Sequence, residues 1–343
     1  MSTADPLSDL RRDGLRAVAL GGGHGLYNTL TALRYLTDDV TAVVTVADDG
    51  GSSGRLRHEL GGIPPGDLRM ALSALISAPA ALAGLAEHDP AAAERRRRWA
   101  ELLQHCFGGS GALAGHPVGN LVLAGIEDST GDIVGALDGM IHLFGIEGRV
   151  LPMATEPLVI EADVTGLEED PRMSRVIRGQ VAVATTPGVV RRVRVTPAAP
   201  AACREAVEAI EAADVVTLGP GSWFSSVIPH VLVPEQLAAL QRTSARKVLF
   251  VNLANEPGET TGFSVERHLH VLAAHAGELK VDDIVVDEPS IPAGRERAHL
   301  ERTAQQFGAR LRVAELAVTG QDVHDPVKSA RTLNRLLAES GSD

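Results

Sequence analysis

Cysteine, aromatic residues and long apolar runs are all scarce in this 343-residue chain, and each scarcity excludes something. The two cysteines, Cys106 and Cys203, lie far apart without metal-ligand spacing, which excludes a disulfide framework and points to a reducing compartment. Both read as small buried hydrophobes. Aromatics make up 3% of the residues, so the core must be aliphatic, as suits a parallel sheet rich in Val, Leu and Ala. No run of about 18 apolar residues is present, which argues against membrane insertion. Basic residues and an apolar stretch are also missing where a signal peptide would need them; Asp5, Asp9 and Asp13 stand there instead. The expectation is a cytoplasmic protein with a short disordered tail over residues 1–13. A formal net charge of -12 opposes long-range steering of polyanions. Extended nucleic-acid binding is therefore not expected, and any anionic ligand must be held by local donors.

What is present is an alternation of apolar runs and helical patterns. Ala17 to Leu20 reads as a strand, followed by a glycine loop and then Leu26, Leu30, Leu33 and Leu36 at helical spacing. Val40 to Ala47 is β-branched and almost wholly apolar, as a strand covered on both faces should be. Residues from about 67 to 145 read as a helical insert, and about 150 to 197 as an antiparallel ribbon with alternating patterns such as Leu158 to Val164. Strand and helix patterns then alternate from Ala201, through Val215 to Leu218 and Val248 to Val251, to a closing helix over Pro326 to Glu339. The fold class expected is α/β: a Rossmann-like, doubly wound, mostly parallel sheet. Residues 14–338 form one domain in this reading, with a second short tail over 339–343.

Three glycine-rich loops follow expected strands, where open α/β sheets bind ligands beside helix N-termini. The first, Gly21-Gly22-Gly23-His24-Gly25, begins a dinucleotide fingerprint, but Leu26 stands where its third Gly or Ala belongs. A tight strand–helix turn would explain that loop by itself. The second, Asp48-Asp49-Gly50-Gly51-Ser52-Ser53-Gly54-Arg55-Leu56-Arg57, offers backbone N–H groups, hydroxyls and guanidinium groups to phosphate oxygens. Its two carboxylates suit a divalent metal such as Mg²⁺, a catalytic base, or the ribose of a nicotinamide cofactor. The third, Gly219-Pro220-Gly221-Ser222, pairs a stiff turn with a serine placed to cap the following helix. His116, Asn120, Asn252, Glu256 and Glu259 are further contact candidates, with capping or ordinary loop chemistry as the plain alternative. His268, His270 and His275 do not form a metal set, because i, i+2 puts the first two on different helix faces. Arg95 to Arg98 reads as a solvated helix face, and Asp67 as a cap for the helix after Pro65-Gly66.

Together these stretches, with Pro64-Pro65-Gly66-Asp67-Leu68-Arg69, Gly115-His116-x-x-Gly119-Asn120, Glu259-Thr260-x-Gly262-Phe263 and His324-Asp325-Pro326, resemble the gluconeogenesis factor (YvcK-like) family. That family is related to the 2-phospho-L-lactate transferase (CofD) superfamily, and the likeness runs from about Arg16 to Leu337. Many members carry Thr where His24 stands. The resemblance implies a UDP-sugar ligand such as UDP-N-acetylglucosamine, and a role in gluconeogenic growth, cell-wall synthesis and cell shape with no settled reaction. Partners implied are a nucleotide diphosphate and, with the assembly left open, a homodimer or cell-wall and regulatory proteins. In this reading Gly22, Gly23, Gly51, Ser52, Ser53, Gly221 and Ser222 hold the diphosphate and Arg55 or Arg57 offsets its charge. Asn120 and Asn252 fix base or sugar. Two alternatives stand beside it: a Mg²⁺-dependent phosphoryl-group transferase using Asp48 or Asp49, and an NAD(P)-dependent dehydrogenase.

Overall fold

The computed structural model describes residues 7–170, 173–256, 259–291 and 295–339. It places the run Ala17–Gly21 in the interior of a seven-stranded sheet. All five residues of this strand, β1, are buried, and β1 pairs in parallel with β2 (Val40–Val44) on one side. β3 (Arg149–Pro152) extends the sheet beyond β2. The polypeptide then forms a separate antiparallel sheet from β4 (Val159–Thr165), β5 (Ser174–Arg178) and β6 (Val189–Thr196), with β4 in the middle. It returns to the main sheet as β7 (Val215–Leu218), which pairs with the free side of β1. β8 (Arg246–Phe250), β9 (Asp283–Asp287) and β10 (Arg310–Ala314) continue outward, giving the order β10-β9-β8-β7-β1-β2-β3, with every pairing parallel.

The chain thus moves outward from β1 in one direction, then restarts beside β1 and moves outward in the other. The crevice between the carboxyl ends of β1 and β7 is a topological switch point, where open α/β sheets bind ligands. Helices supply the layers: α1 (Gly23–Leu33), α2 (Gly51–Leu60), α3 (Gly66–Ser77), α4 (Pro79–His88), α5 (Pro90–Gln104), α6 (Val118–Thr130) and α7 (Ile133–Phe144) precede β3. A short α8 (Gln180–Ala184) separates β5 from β6, and α9 (Arg204–Ala212) leads to β7. Beyond β7 come a π-helical turn at Trp223–Val227, α10 (Pro229–Leu232), α11 (Pro234–Arg242), α12 (Val265–His275), α13 (Arg295–Gln306) and α14 (Pro326–Glu339). No single helix among the described residues is long and apolar enough to cross a membrane.

Four local expectations are corrected. Gly50 to Arg57 is not a flexible loop: Gly50 is the N-cap of α2, and Gly51 to Arg57 are helical. Val150 belongs to the parallel sheet through β3, so the antiparallel region begins at Val159. The segment before β1 is packed from Leu7 onward: Leu10 is buried against Ala32, Tyr35 and Ala330, and Arg12 donates to Asn334 Oδ1 at 2.6 Å. An acidic composition concealed those two apolar anchors. Cys203 is buried as expected, but Cys106 is exposed, because it sits where the chain leaves α5 for the glycine-rich stretch before Gly115.

Candidate functional site

A cavity of about 280 Å³ opens at the switch point. Its walls are Gly22 to Gly25, Gly221, Ser222, Ser225 and Ser226, with Thr45, Asp48, Asp67, Gln180 and Glu256 closing it. The first and third glycine loops therefore meet in one place, as the topology requires of segments leaving adjacent strands. Gly25 permits the meeting: a Cβ on it would lie 2.1 Å from the carbonyl oxygen of Pro220. Gly22 is equally confined, since its Cβ would lie 2.5 Å from both Asp67 Oδ2 and Thr45 Cγ2. α1 begins at Gly23, whose N–H donates to Asp67, and the next N–H groups outside the helical ladder, those of His24 and Gly25, face the cavity at the positive end of the helix dipole.

The third loop is held from behind. Asn252 makes two bonds to Gly221, its Oδ1 accepting from the N–H at 3.0 Å and its Nδ2 donating to the carbonyl at 2.8 Å. Ser222 does not cap the next turn; its hydroxyl donates to the buried Glu259 carboxylate at 2.7 Å, which also accepts from Phe224 N–H at 2.8 Å. Gly219 and Pro220 form the turn itself, and Thr29 Oγ1 donates to the Gly219 carbonyl at 3.3 Å. A larger cavity of about 760 Å³ lies next to this loop, beyond β8 and β9, with Asn252, Phe263, His268 and Ser290 among its walls.

The second loop divides its residues between tasks. Asp48 reaches the cavity, with Oδ1 accepting from Gly50 N–H at 2.9 Å. Asp49 turns away, and its two oxygens accept from Gln180 N–H and Val181 N–H, both at 2.9 Å, capping α8 and thereby setting Gln180 against the cavity. Gly51 is exposed, and Gly54 lies so close to Asp49 that a Cβ would sit 2.0 Å from its carbonyl oxygen. Ser53 is buried and accepts from Gly66 N–H at 3.0 Å. Arg55 donates to the Ala114 carbonyl at 2.8 Å and Arg57 to the Leu158 carbonyl at 2.7 Å, and neither lines the cavity. Asn120 is buried and accepts from Arg69 Nε at 2.9 Å, while donating to Ser52 Oγ at 3.0 Å.

Thr45, Gln180, Ser225 and Ser226 are wall residues that the sequence reading did not assign, and Asp67, whose loop the family resemblance puts near the site, joins them. Asp67 is the consequential one. It does not cap α3; it stands in the first turn, where burial and then the neighbouring Asp48 raise its pKa to about 7, against a hydrogen bond from Gly23 N–H. Glu256 is pushed further, to about 9, by burial and then by its hydrogen bond to Glu259. The cavity thus holds two carboxyl groups whose charged forms are disfavoured, a pattern that concentrates at functional sites. Of the histidines on α12, His268 is buried and His270 exposed, while His275 Nε2 accepts from Val193 N–H at 2.9 Å. Arg95, Arg97 and Arg98 are exposed as expected, whereas Arg96 is half-buried and donates to the Gly145 carbonyl.

Residues 17–323 match the family described as 2-phospho-L-lactate transferase CofD. The chain belongs to the CofD family. Within it, the chain is 61% identical over 321 residues to the "Putative gluconeogenesis factor" of two Mycobacterium tuberculosis strains, covering 94% of this chain and 90% of theirs. It is 38% identical over 269 residues to the "Gluconeogenesis factor" of Halalkalibacterium halodurans, covering 78% of this chain and 76% of that one. A crystal structure of a UPF0052-family protein from Bacillus halodurans superposes with a TM-score of 0.77 at 32% identity, over 94% of this chain and 99% of that one. The chain is accordingly a CofD-family protein of the gluconeogenesis-factor branch, with the α/β architecture of its UPF0052 relative.

Proposed function

We propose that this protein binds a nucleotide diphosphate sugar of the UDP-N-acetylglucosamine type, with the diphosphate in the cavity between β1 and β7. The observation that carries the reading is the convergence of the N-terminus of α1, the Gly221 turn and the hydroxyls of Ser225 and Ser226 on one cavity at the switch point. Backbone N–H groups and hydroxyls suit phosphate oxygens, and they do so without a net positive field. The adjacent cavity beside Asn252 and Phe263 has room for the nucleoside or the sugar. Glu256, protonated at neutral pH, presents a neutral group where an ionised carboxylate would repel the ligand. The relatives' name, gluconeogenesis factor, supports a role in growth on gluconeogenic carbon. The choice of sugar ties that role to cell-wall synthesis and shape, in the cytoplasm where such a nucleotide is used.

A divalent cation fits one part of the same site. The charge of Asp48 opposes ionisation of Asp67, and a hard cation shared with ligand phosphates would remove that conflict. No group of three or more His, Cys, Asp or Glu side chains able to hold a metal occurs among the described residues, so ligand oxygens and water would complete the shell. Mg²⁺ would neutralise phosphate charge there, which favours a phosphoryl-group transferase as the second reading. Asp49 is not available to the ribose of a nicotinamide cofactor, because both its oxygens are committed to α8.

Calorimetric titration with UDP-N-acetylglucosamine tests the proposal. Saturable binding, with a thermal midpoint that rises with ligand concentration, is the expected result. No heat and no shift at millimolar ligand would remove it.

A further inference from the structure

Ser52 stands second in α2, whose first helical bond runs from Gly54 N–H to the Gly50 carbonyl at 2.9 Å. The N–H groups of Gly51, Ser52 and Ser53 therefore lie outside the helical ladder and point past the helix start. The N-cap residue, Gly50, has no side chain to cap them. Ser52 Oγ lies 2.7 Å from Nδ1 of His116, which is only 5% exposed. The direction of the hydrogen bonds follows from donors that have no choice. Arg69 Nε can only donate, so Asn120 Oδ1 accepts and Asn120 Nδ2 donates to Ser52 Oγ. The Ser52 hydroxyl proton is left to point at His116 Nδ1. Burial and the charge of Arg55 lower the His116 pKa against the opposing pull of Glu59, so the ring is a neutral acceptor near pH 7.

Ser52, His116, Asn120 and Arg69 are not wall residues of the β1–β7 cavity, but the helix start that carries Ser52 adjoins it through Ser53. A Cβ on Gly66 would lie 2.4 Å from Ser53 Oγ and 2.9 Å from Asp48 Oδ2, so the start of α2 and the cavity wall meet at that glycine. Arg69 lies within the fields of Asp67 and Asp48. A phosphate bridging the cavity and the α2 N-terminus would find positive backbone donors at both ends.

We propose that Ser52 is a nucleophile toward phosphorus, with His116 as its base and Asn120 and Arg69 as positioning residues. The proposal rests on the reading that a nucleotide diphosphate sugar occupies the cradle. Ser52 Oγ attacks the phosphorus that carries the sugar, the Oγ–P bond forms, and the bond from that phosphorus to the bridging oxygen breaks. The hydroxyl proton passes to His116 Nδ1 and then to the departing nucleoside monophosphate. A sugar phosphodiester remains on Ser52 until water or an acceptor hydroxyl displaces it, His116 again taking the proton. No redox change occurs. The logic is that of an activated hydroxyl beside a general base, with backbone donors facing the charge that develops.

Two probes separate this from simple binding. UDP-N-acetylglucosamine is incubated with the protein and followed for UMP release and for a mass gain at Ser52, alongside calorimetric binding. A fluorophosphonate tests Ser52 as a nucleophile without any nucleotide. Expected are UMP release and fluorophosphonate labelling at Ser52, both lowered about a hundredfold or more by Ser52→Ala and by His116→Gln, with UMP release compared at saturating nucleotide so that any loss of affinity is read separately. Binding without UMP release or adduct overturns the proposal and leaves the binding reading intact. Absence of binding overturns that reading, and fluorophosphonate labelling then decides Ser52 alone: an unlabelled Ser52 in folded wild-type protein refutes it. Circular dichroism of each variant guards against loss of fold, and labelling of wild type needs no variant.

Discussion

The imidazole Nε2 of His230 donates to the carbonyl oxygen of Gly21, 3.2 Å away at the last residue of β1. Its Nδ1 accepts from Gln236 Nε2 at 2.7 Å, so the ring is held as the neutral Nε2–H tautomer directly behind the first glycine loop. Burial lowers its pKa to about 4, and His324, edge-on to Phe250, is lowered to about 4 for the same reason. A histidine depressed in the folded state stabilises fully above its unfolded value of about 6.5, and that stability is lost as pH falls from there toward 4. At 1.36 kcal/mol per unit, each ring accounts for about 3 kcal/mol of acid sensitivity. Urea unfolding from pH 7 to pH 4 should show the decline, and His230→Phe should remove about half of it, His324 supplying the rest. That variant should also cost about 2 to 4 kcal/mol at pH 7, because Gly21 and Gln236 lose their partner.

The meeting of two backbones at the switch point makes Gly25 the least replaceable residue of the first loop. A methyl group there would overlap the Pro220 carbonyl at 2.1 Å, and neither partner is a side chain that can swing away. Gly25→Ala should lower stability by roughly 1 to 3 kcal/mol and abolish calorimetric binding of UDP-N-acetylglucosamine, since the loops must part. Gly51→Ala is the contrast. Gly51 is exposed with nothing within 4 Å of its Cβ position, and its positive φ of +47° makes the change a modest strain that should leave the β1–β7 cavity in place.

Glu256 and Glu259 make the site sensitive to alkali. A carboxyl raised to about 9 by burial and by Glu259 is protonated in the folded protein while ionised in the unfolded chain. Its contribution is complete below the unfolded pKa near 4.5 and is lost as pH rises toward 9, the reverse of the histidine case. Glu256→Gln should therefore raise the thermal midpoint by a few degrees at pH 8 and leave it nearly unchanged at pH 4. Affinity for the nucleotide sugar should fall above pH 9 in the wild type and stay level in the variant, as titrations at pH 7, 8 and 9.5 would reveal.

The centre of the fold was legible because its strands are covered on both faces. β1, β7 and β9 are buried at every position and stand in the sequence as short apolar runs, which periodicity detects directly. α2 escaped detection for the opposite reason. Gly-Ser-Ser-Gly is a poor helix former, and what holds it there is tertiary: the close approach of Gly54 to Asp49 and the bond from Gly66 N–H to Ser53. The same limit applies to the site. Glycines at strand ends marked the first and third loops, but arginines were assigned to phosphate by charge alone, whereas Arg55 and Arg57 are directed at carbonyls of Ala114 and Leu158. Gln180 carries no local signal at all; it reaches the cavity because Asp49, distant in sequence, caps α8. Asp67 did have a signal, an acid inside Pro-Pro-Gly-Asp-Leu-Arg, but its burial could not be read from neighbours.

The two adjacent acids at the end of β2 should behave as different kinds of residue. Asp49 spends both oxygens on N–H groups of α8, so Asp49→Ala should cost about 1 to 2 kcal/mol, as loss of a cap does, in the presence or absence of Mg²⁺. Asp48 instead opposes Asp67 across the cavity, and removing its charge relieves a conflict. Asp48→Asn should leave stability unchanged or slightly raised without metal, while abolishing any thermal shift produced by millimolar Mg²⁺ together with UDP-N-acetylglucosamine. Asp67→Asn should act likewise, since an amide oxygen can still accept from Gly23 N–H but binds a hard cation less strongly. Thermal melts of the three variants, each with and without Mg²⁺ and nucleotide, give the comparison. A Mg²⁺-dependent shift that survives in Asp48→Asn and Asp67→Asn but vanishes in Asp49→Ala would reverse the assignment, because it would put the cation on the side of Asp49 that α8 now covers.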